Sequence, residues 1–245
     1  MIFLPRRTSF YFLVAIAMVL STSLTAGSQS LSVLPVNIQM GPGEQATTLT
    51  VTNQGDAKTA VQIRAYAWNQ DGDTDDLKPS NDVVISPPIA SIAPGDSQVV
   101  RLILRQPPQG KEGTYRILLD QIPPAAEPGV VHVVLRLSIP IFAQPATRAN
   151  AHVEFHAEVK DGKAFLVANN DGLRHEAIRN IELSTSDGRK LKLEAGASPY
   201  VLAGTTRHWK IETPDAHPLP DQSLRLTARS DAGAIEQQVQ VIAAP

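Results

Sequence analysis

Between Val130 and Phe142 the chain reads Val-Val-His-Val-Val-Leu-Arg-Leu-Ser-Ile-Pro-Ile-Phe, with Val131, Val133, Leu135, Leu137, Ile139 and Ile141 in unbroken alternation. A period of two puts those six side chains on one face of a β-strand and Val130, His132, Val134, Arg136, Ser138 and Pro140 on the other. At about 3.3 Å per residue the run reaches roughly 40 Å, well past the usual strand of about five or six residues. Pro140 has no N–H for a ladder, which predicts a sheet edge at least locally. Long apolar edges invite pairing with other chains, and proteins ordinarily blunt them with charge; only Arg136 does so here. Two readings follow. The run is a core strand of a sandwich, or it is an edge kept open for another chain to pair with.

The N-terminus carries a different signal. Arg6 and Arg7 precede an apolar run from Phe10 to Leu20, and small residues follow at Ala26, Gly27 and Ser28. This is the pattern of a cleaved secretory signal peptide, with cleavage between about Gly27 and Ser30. The run is too short for a bilayer, which needs about 20 apolar residues, and no later stretch approaches that length, so no stable membrane insertion is expected. The 245 residues hold 22 Lys and Arg against 24 Asp and Glu, so no basic excess exists to neutralise nucleic-acid phosphates. There is no cysteine. In an oxidising compartment such a chain has no disulfides and depends on its apolar cores, which favours domains of about a hundred residues over small stapled scaffolds.

Past residue 30, short runs rich in Val, Ile, Leu and Thr recur between Gly, Pro, Asn and Asp turns, the pattern of an all-β sandwich. The first series predicts strands at Leu31–Met40, Ala46–Asn53, Thr59–Asn69, Asp82–Ser86, Ser97–Arg105, Thr114–Ile122 and Val130–Gln144. A polar loop is predicted over Gln70–Asn81. The second series predicts Ala151–Lys160, Lys163–Asn169, Ala177–Thr185, Lys190–Glu194, Thr205–Glu212, Ser223–Ser230 and Ala234–Ile242. The short junction near Gln144-Pro145-Ala146 predicts two sandwiches held at a restricted angle. The boundaries read as a signal peptide over 1–27 and domains over 28–145 and 146–245.

Sites for chemistry are weak. Asp71-Gly72-Asp73-Thr74-Asp75-Asp76 begins like a calcium loop, but Asp76 stands where an EF-hand needs Gly and Asp82 where it needs Glu, so a solvated hairpin loop is preferred. His152 and His156 on one strand would stand about 13 Å apart and could not share a zinc. No Gly-x-Ser-x-Gly elbow is present and no Cys is available as nucleophile. We read the chain as not an enzyme and as needing no cofactor or metal. Trp68, Tyr66 and Trp209 read as core or sheet-face aromatics.

The segment Thr114-Tyr115-Arg116-Ile117-Leu118-Leu119-Asp120-Gln121-Ile122-Pro123-Pro124, followed by the alternating strand ending Ile141-Phe142-Ala143-Gln144-Pro145, resembles the last two strands of the first domain of PapD-like periplasmic pilus chaperones. Ser86-Pro87-Pro88, Ala93-Pro94-Gly95 and Val99-Val100-Arg101-Leu102 are similar to that domain's pattern. Asn169-Asn170-Asp171-Gly172 and Tyr200 through Trp209 look like the second domain of the archaic, spore-coat-type branch. The resemblance implies two immunoglobulin-like β-sandwich domains in an L-shaped arrangement, and a periplasmic chaperone of the chaperone-usher pathway. Such a chaperone lends an edge strand to a pilus subunit lacking its last strand, then passes the subunit to an outer-membrane usher. The donated residues would be Val131, Val133, Leu135 and Leu137. The competing reading is an exported two-domain structural or adhesive protein.

The resemblance also implies departures. Better-known members hold the subunit's terminal carboxylate with two cations, and the matching positions here are Asn37 and Pro140. The charged pair that bridges the domains in the family falls on Gln121 and Gln144. An antiparallel hairpin closing at Pro123–Gly129 would set Arg116 opposite Arg136–Pro140, which makes Arg116 the candidate carboxylate anchor against the alternative of a surface arginine with no partner. Arg101 and Arg136 are weaker candidates, Arg101 because its strand is expected in the other sheet.

Overall fold

A computed structural model describes residues 31–72, 74–125, 128–129, 132–194, 198–212 and 222–243. The predicted signal peptide and Val131 lie outside that set. The described residues are all-β and form two immunoglobulin-like units. The first contains Leu31–Leu34 (β1), Ile38–Met40 (β2), Ala46–Asn53 (β3), Thr59–Asp71 (β4), Thr74–Pro79 (β5), Val83–Ser86 (β6), Ile89–Ile92 (β7), Ser97–Leu104 (β8), Gly113–Ile122 (β9) and Arg136–Ala143 (β10). One sheet runs β1-β3-β8-β6. The other runs β2-β10-β9-β4-β5, with β7 also pairing β4.

Alternation fixes which face of each strand enters the core. Leu49 and Val51 of β3, Val100, Leu102 and Leu104 of β8, Ile117 and Leu119 of β9, and Ile139 and Ile141 of β10 meet in one buried cluster between the sheets. The predicted single strand Leu31–Met40 is two strands. Pro35 has no N–H to continue the ladder, and the chain crosses there from an antiparallel pairing with β3 to a parallel pairing with β10. The predicted polar loop Gln70–Asn81 also needs correction. β4 runs on to Asp71 and turns at Gly72 into β5, whose polar residues are tolerated because it is the outermost strand of its sheet.

The second unit contains Val153–Lys160 (β11), Lys163–Asn170 (β12), Glu176–Ala177 (β13), Arg179–Thr185 (β14), Lys190–Leu193 (β15), Tyr200–Val201 (β16), Thr205–Glu212 (β17), Ser223–Ser230 (β18) and Gly233–Ala243 (β19). Its ladders follow β11-β12-β17-β15-β14-β18-β19 and close by a parallel pairing of β11 with β19. Leu166, Leu183, Trp209, Leu224, Leu226, Val239 and Val241 fill its core. Gly172 is required by close approach: a Cβ there would stand 2.4 Å from the backbone nitrogen of His152.

Candidate functional site

The strand predicted over Val130–Gln144 is shorter than expected, and its partner explains why. Asp120 of β9 pairs with Arg136, and one residue on, the Gln121 amide donates to the Leu135 carbonyl while its side-chain carbonyl accepts from Leu135 N–H. Beyond Ile122 come Pro123 and Pro124, which cannot donate, so residues 132–135 lie outside the strand. The opposite edge of β10 is covered only at its end, where Ile141, Phe142 and Ala143 pair with β2. From Arg136 to Pro140 that edge has no strand beside it among the described residues.

Along this open stretch the apolar row passes from core to solvent. Ile139 is 3% exposed, Leu137 is half-buried against the core cluster, Leu135 is 36% exposed and Val133 is 86% exposed. Val133 and Leu135 thus continue the alternating apolar row in sequence, exposed beyond the end of the strand. On the outward face, Arg136 is exposed and pairs with Asp120, which also takes a hydrogen bond from Arg64 at 2.5 Å. Burial pushes the Asp120 carboxyl up, but the bonds from Arg136 and Arg64 outweigh it and hold it below the usual carboxylate range.

The far end of the same sheet face is closed by the second unit. Outward-pointing Trp68 and Phe142 bury against Ala177, Tyr200 and Leu202. Phe142 stacks on the His175 ring, centroids 3.5 Å apart. This is why alternation stops in β10: Phe142, which points away from its own core, lies beneath the second unit and is as buried as its neighbours. Polar contacts fix the junction. The Gln70 side chain bonds the Tyr200 carbonyl and the Leu202 amide, and Asn37 donates to the Tyr200 hydroxyl at 3.0 Å. Glu112, whose side chain is fully buried, accepts from the His175 backbone amide and contacts His175 Nδ1 at 2.6 Å.

Arg116 stands in register opposite Pro140, where the hairpin argument sets it. It is not a surface arginine without a partner. Its guanidinium carbon lies 3.7 Å from the Trp68 ring centroid, Nη2 is 3.7 Å from Asp75 and 3.4 Å from the Ser198 hydroxyl, and the residue is buried. Burial lowers its pKa and Asp75 opposes that fall. Arg101 lies on β8 in the other sheet, as expected. Gln121 bonds Thr59 and Leu135 within the first unit. A polar bridge between the units is provided instead by the hydrogen-bonded contact of Glu112 with His175, a pair that no spacing in the sequence announces. Gln70, Asp75, Tyr200 and Arg207 were equally silent, because pairing across 130 or so residues leaves no local pattern.

Residues 30–149 match the family model described as pili and flagellar-assembly chaperone, PapD N-terminal domain. The chain is 30% identical over 132 residues to the chaperone protein FimB/FhaD of Bordetella pertussis, covering 50% of this chain and 52% of that one. It is 30% identical over 135 residues to the chaperone protein FaeE of Escherichia coli, covering 54% and 50%. The chain therefore spans about half the length of the curated relatives it matches. Among solved structures, it superposes on a chain of the CsuC–CsuE chaperone and tip adhesion subunit complex from the archaic Csu pili of Acinetobacter baumannii with a TM-score of 0.63 and 22% identity, covering 88% of this chain and 100% of that one. The complex of SafA pilin with the SafB chaperone of Salmonella enterica gives a TM-score of 0.58 at 14% identity, covering 88% and 97%. At such identities the likeness is one of fold. Residues 30–149 therefore belong to the PapD-like pilus chaperones, and the fold of such chaperones is shared over nearly all of the chain.

Proposed function

We propose that this protein is a periplasmic chaperone that caps pilus subunits by donor-strand complementation and delivers them to an outer-membrane usher. The observation that carries the reading is the open edge of β10, with the apolar Val133 and Leu135 exposed just before the strand begins. A subunit strand adding to that edge would gain main-chain hydrogen bonds, and alternate side chains would enter the subunit's unfilled core. The donated set is Val131, Val133, Leu135 and Leu137. Burying four such side chains is worth roughly 6 to 12 kcal/mol before ordering costs. A structural or adhesive protein would be expected to cover this strand with its own chain, and the open edge speaks against that alternative. No catalysis is assigned to the fold.

Arg116 is the proposed anchor for the subunit's terminal carboxylate, supported by its register opposite Pro140 and by its burial beside the open edge. The reading includes a signal peptide over 1–27 and domains over 28–145 and 146–245. It is tested by isolating tagged mature protein from periplasmic extracts of cells making a pilus subunit. The subunit should co-purify in a one-to-one complex with wild type and be absent with Val133→Glu. Recovery undiminished by Val133→Glu would contradict it.

A further inference from the structure

Apart from the Glu112–His175 contact, the junction between the units brings two guanidinium groups to one shared carboxylate. Asp75 on β5 lies 3.7 Å from Arg116 Nη2 and 3.5 Å from Arg207 Nη1, and its Oδ1 accepts a hydrogen bond from Gln70. Both ion-pair distances exceed the about 2.7 to 2.9 Å of a well-made charge-assisted bond. Arg207, on β17, is 3% exposed, and its Nε and Nη1 have no hydrogen-bond partner among the described residues. Buried cations are ordinarily paired and fully bonded. Arg207 is close to a carboxylate that it does not grip, and that carboxylate is shared with Arg116.

We propose that Asp75 is a resident counter-ion that changes partner: in the free protein it is divided between Arg116 and Arg207, and a carboxylate arriving at Arg116 drives it wholly onto Arg207. The ligand class is a peptide ending in a free carboxylate. This rests on the reading of Arg116 as anchor and adds a positioning role for Arg207, which draws Asp75 away without touching the ligand. Charge balances throughout. Before binding, one carboxylate serves two cations; afterwards each cation has its own. Because Arg207 belongs to the second unit and Asp75 to the first, occupancy at Arg116 tightens a contact across the junction.

The test uses a short synthetic peptide of alternating valine and serine with a free C-terminal carboxylate, and the same peptide amidated. Wild type should bind the acid about tenfold more tightly than the amide, and Arg116→Lys should lose most of that preference. If wild type binds both peptides equally, the anchor reading itself fails. Given the preference, Arg207→Gln should weaken binding of the acid about tenfold, because Asp75 then stays with Arg116, whereas Asp75→Asn should tighten it. In the Asp75→Asn background, Arg207→Gln should change nothing, since no competitor remains to be removed. An equal cost of Arg207→Gln in both backgrounds would reduce its part to long-range charge and overturn the proposal while leaving the anchor standing. If a variant fails to fold, guanidinium nitrogen NMR of the wild-type protein decides. The Arg207 Nε resonance should move on adding the acid peptide and stay fixed with the amide; no movement with the acid overturns the proposal.

Discussion

Arg116 of β9 and Pro140 of β10 face one another in the antiparallel register. Arg116 thus places a guanidinium in the same row of the sheet as the uncharged Pro140. Its guanidinium rests over Trp68 and beside Asp75. Arg116→Ala should reduce recovery of bound subunit, with a loss near the 1.5 to 3 kcal/mol of a hydrogen bond to a charged group. Unchanged recovery from a folded variant would remove Arg116 from the site.

The edge and the core of β10 should respond oppositely to charge. Leu135→Glu places its carboxylate where the side chain is already 36% exposed, so the melting temperature of the free protein should move little while subunit binding is lost. Ile139→Glu, two residues on and 3% exposed, buries an unpaired charge and should cost more than about 4 kcal/mol. Thermal melts of the two variants provide the comparison.

Glu112 and His175 form a buried contact between the units, and breaking such a pair strands the remaining partner. Glu112→Ala leaves the His175 backbone amide without its acceptor and should destabilise the protein by about 1 to 3 kcal/mol in denaturant titrations. Phe142→Ala, which removes the ring stacked on His175, should cost more, about 3 to 5 kcal/mol. Both should expose the Trp68 indole, so that its fluorescence shifts to the red before global unfolding.

The surface pair His152–Asp171 sets a pH dependence. Donating its Nδ1–H to the Asp171 carboxylate raises the His152 pKa above its ordinary 6.5. A raised folded-state value means that the stabilisation is complete below about 6.5 and is lost as pH climbs through the folded pKa. Asp171→Asn should lower the His152 midpoint in an NMR titration, and its destabilising effect should fade as pH rises above neutrality.

Much of the fold was legible because sandwich strands carry a period-two signature and their turns need Gly, Pro, Asn or Asp. Strands β3, β8, β9, β11 and β18 fall within a residue or two of their expected bounds or better. β5 and β7 were missed because a polar outermost strand and a four-residue strand hold too few alternations to register. The overlong reading of β10 has a physical cause as well. Alternation marks which side chains share a face, but a ladder also needs a partner, and β9 ends at Ile122 before two prolines. The exposed row Val133 and Leu135 was legible for the same reason. The Glu112–His175 bridge and the Asp75, Arg116 and Arg207 cluster were not, since they depend on how two folded units meet.

Backbone hydrogen exchange over residues 132–140, with and without a pilus subunit of the same organism, tests the central claim most directly. Amides on the open edge of β10 should exchange freely in the isolated protein and become strongly protected in the complex, as a partner strand closes the ladder. A stable complex that leaves these amides as exchangeable as before, with protection appearing elsewhere on the surface, would contradict the account.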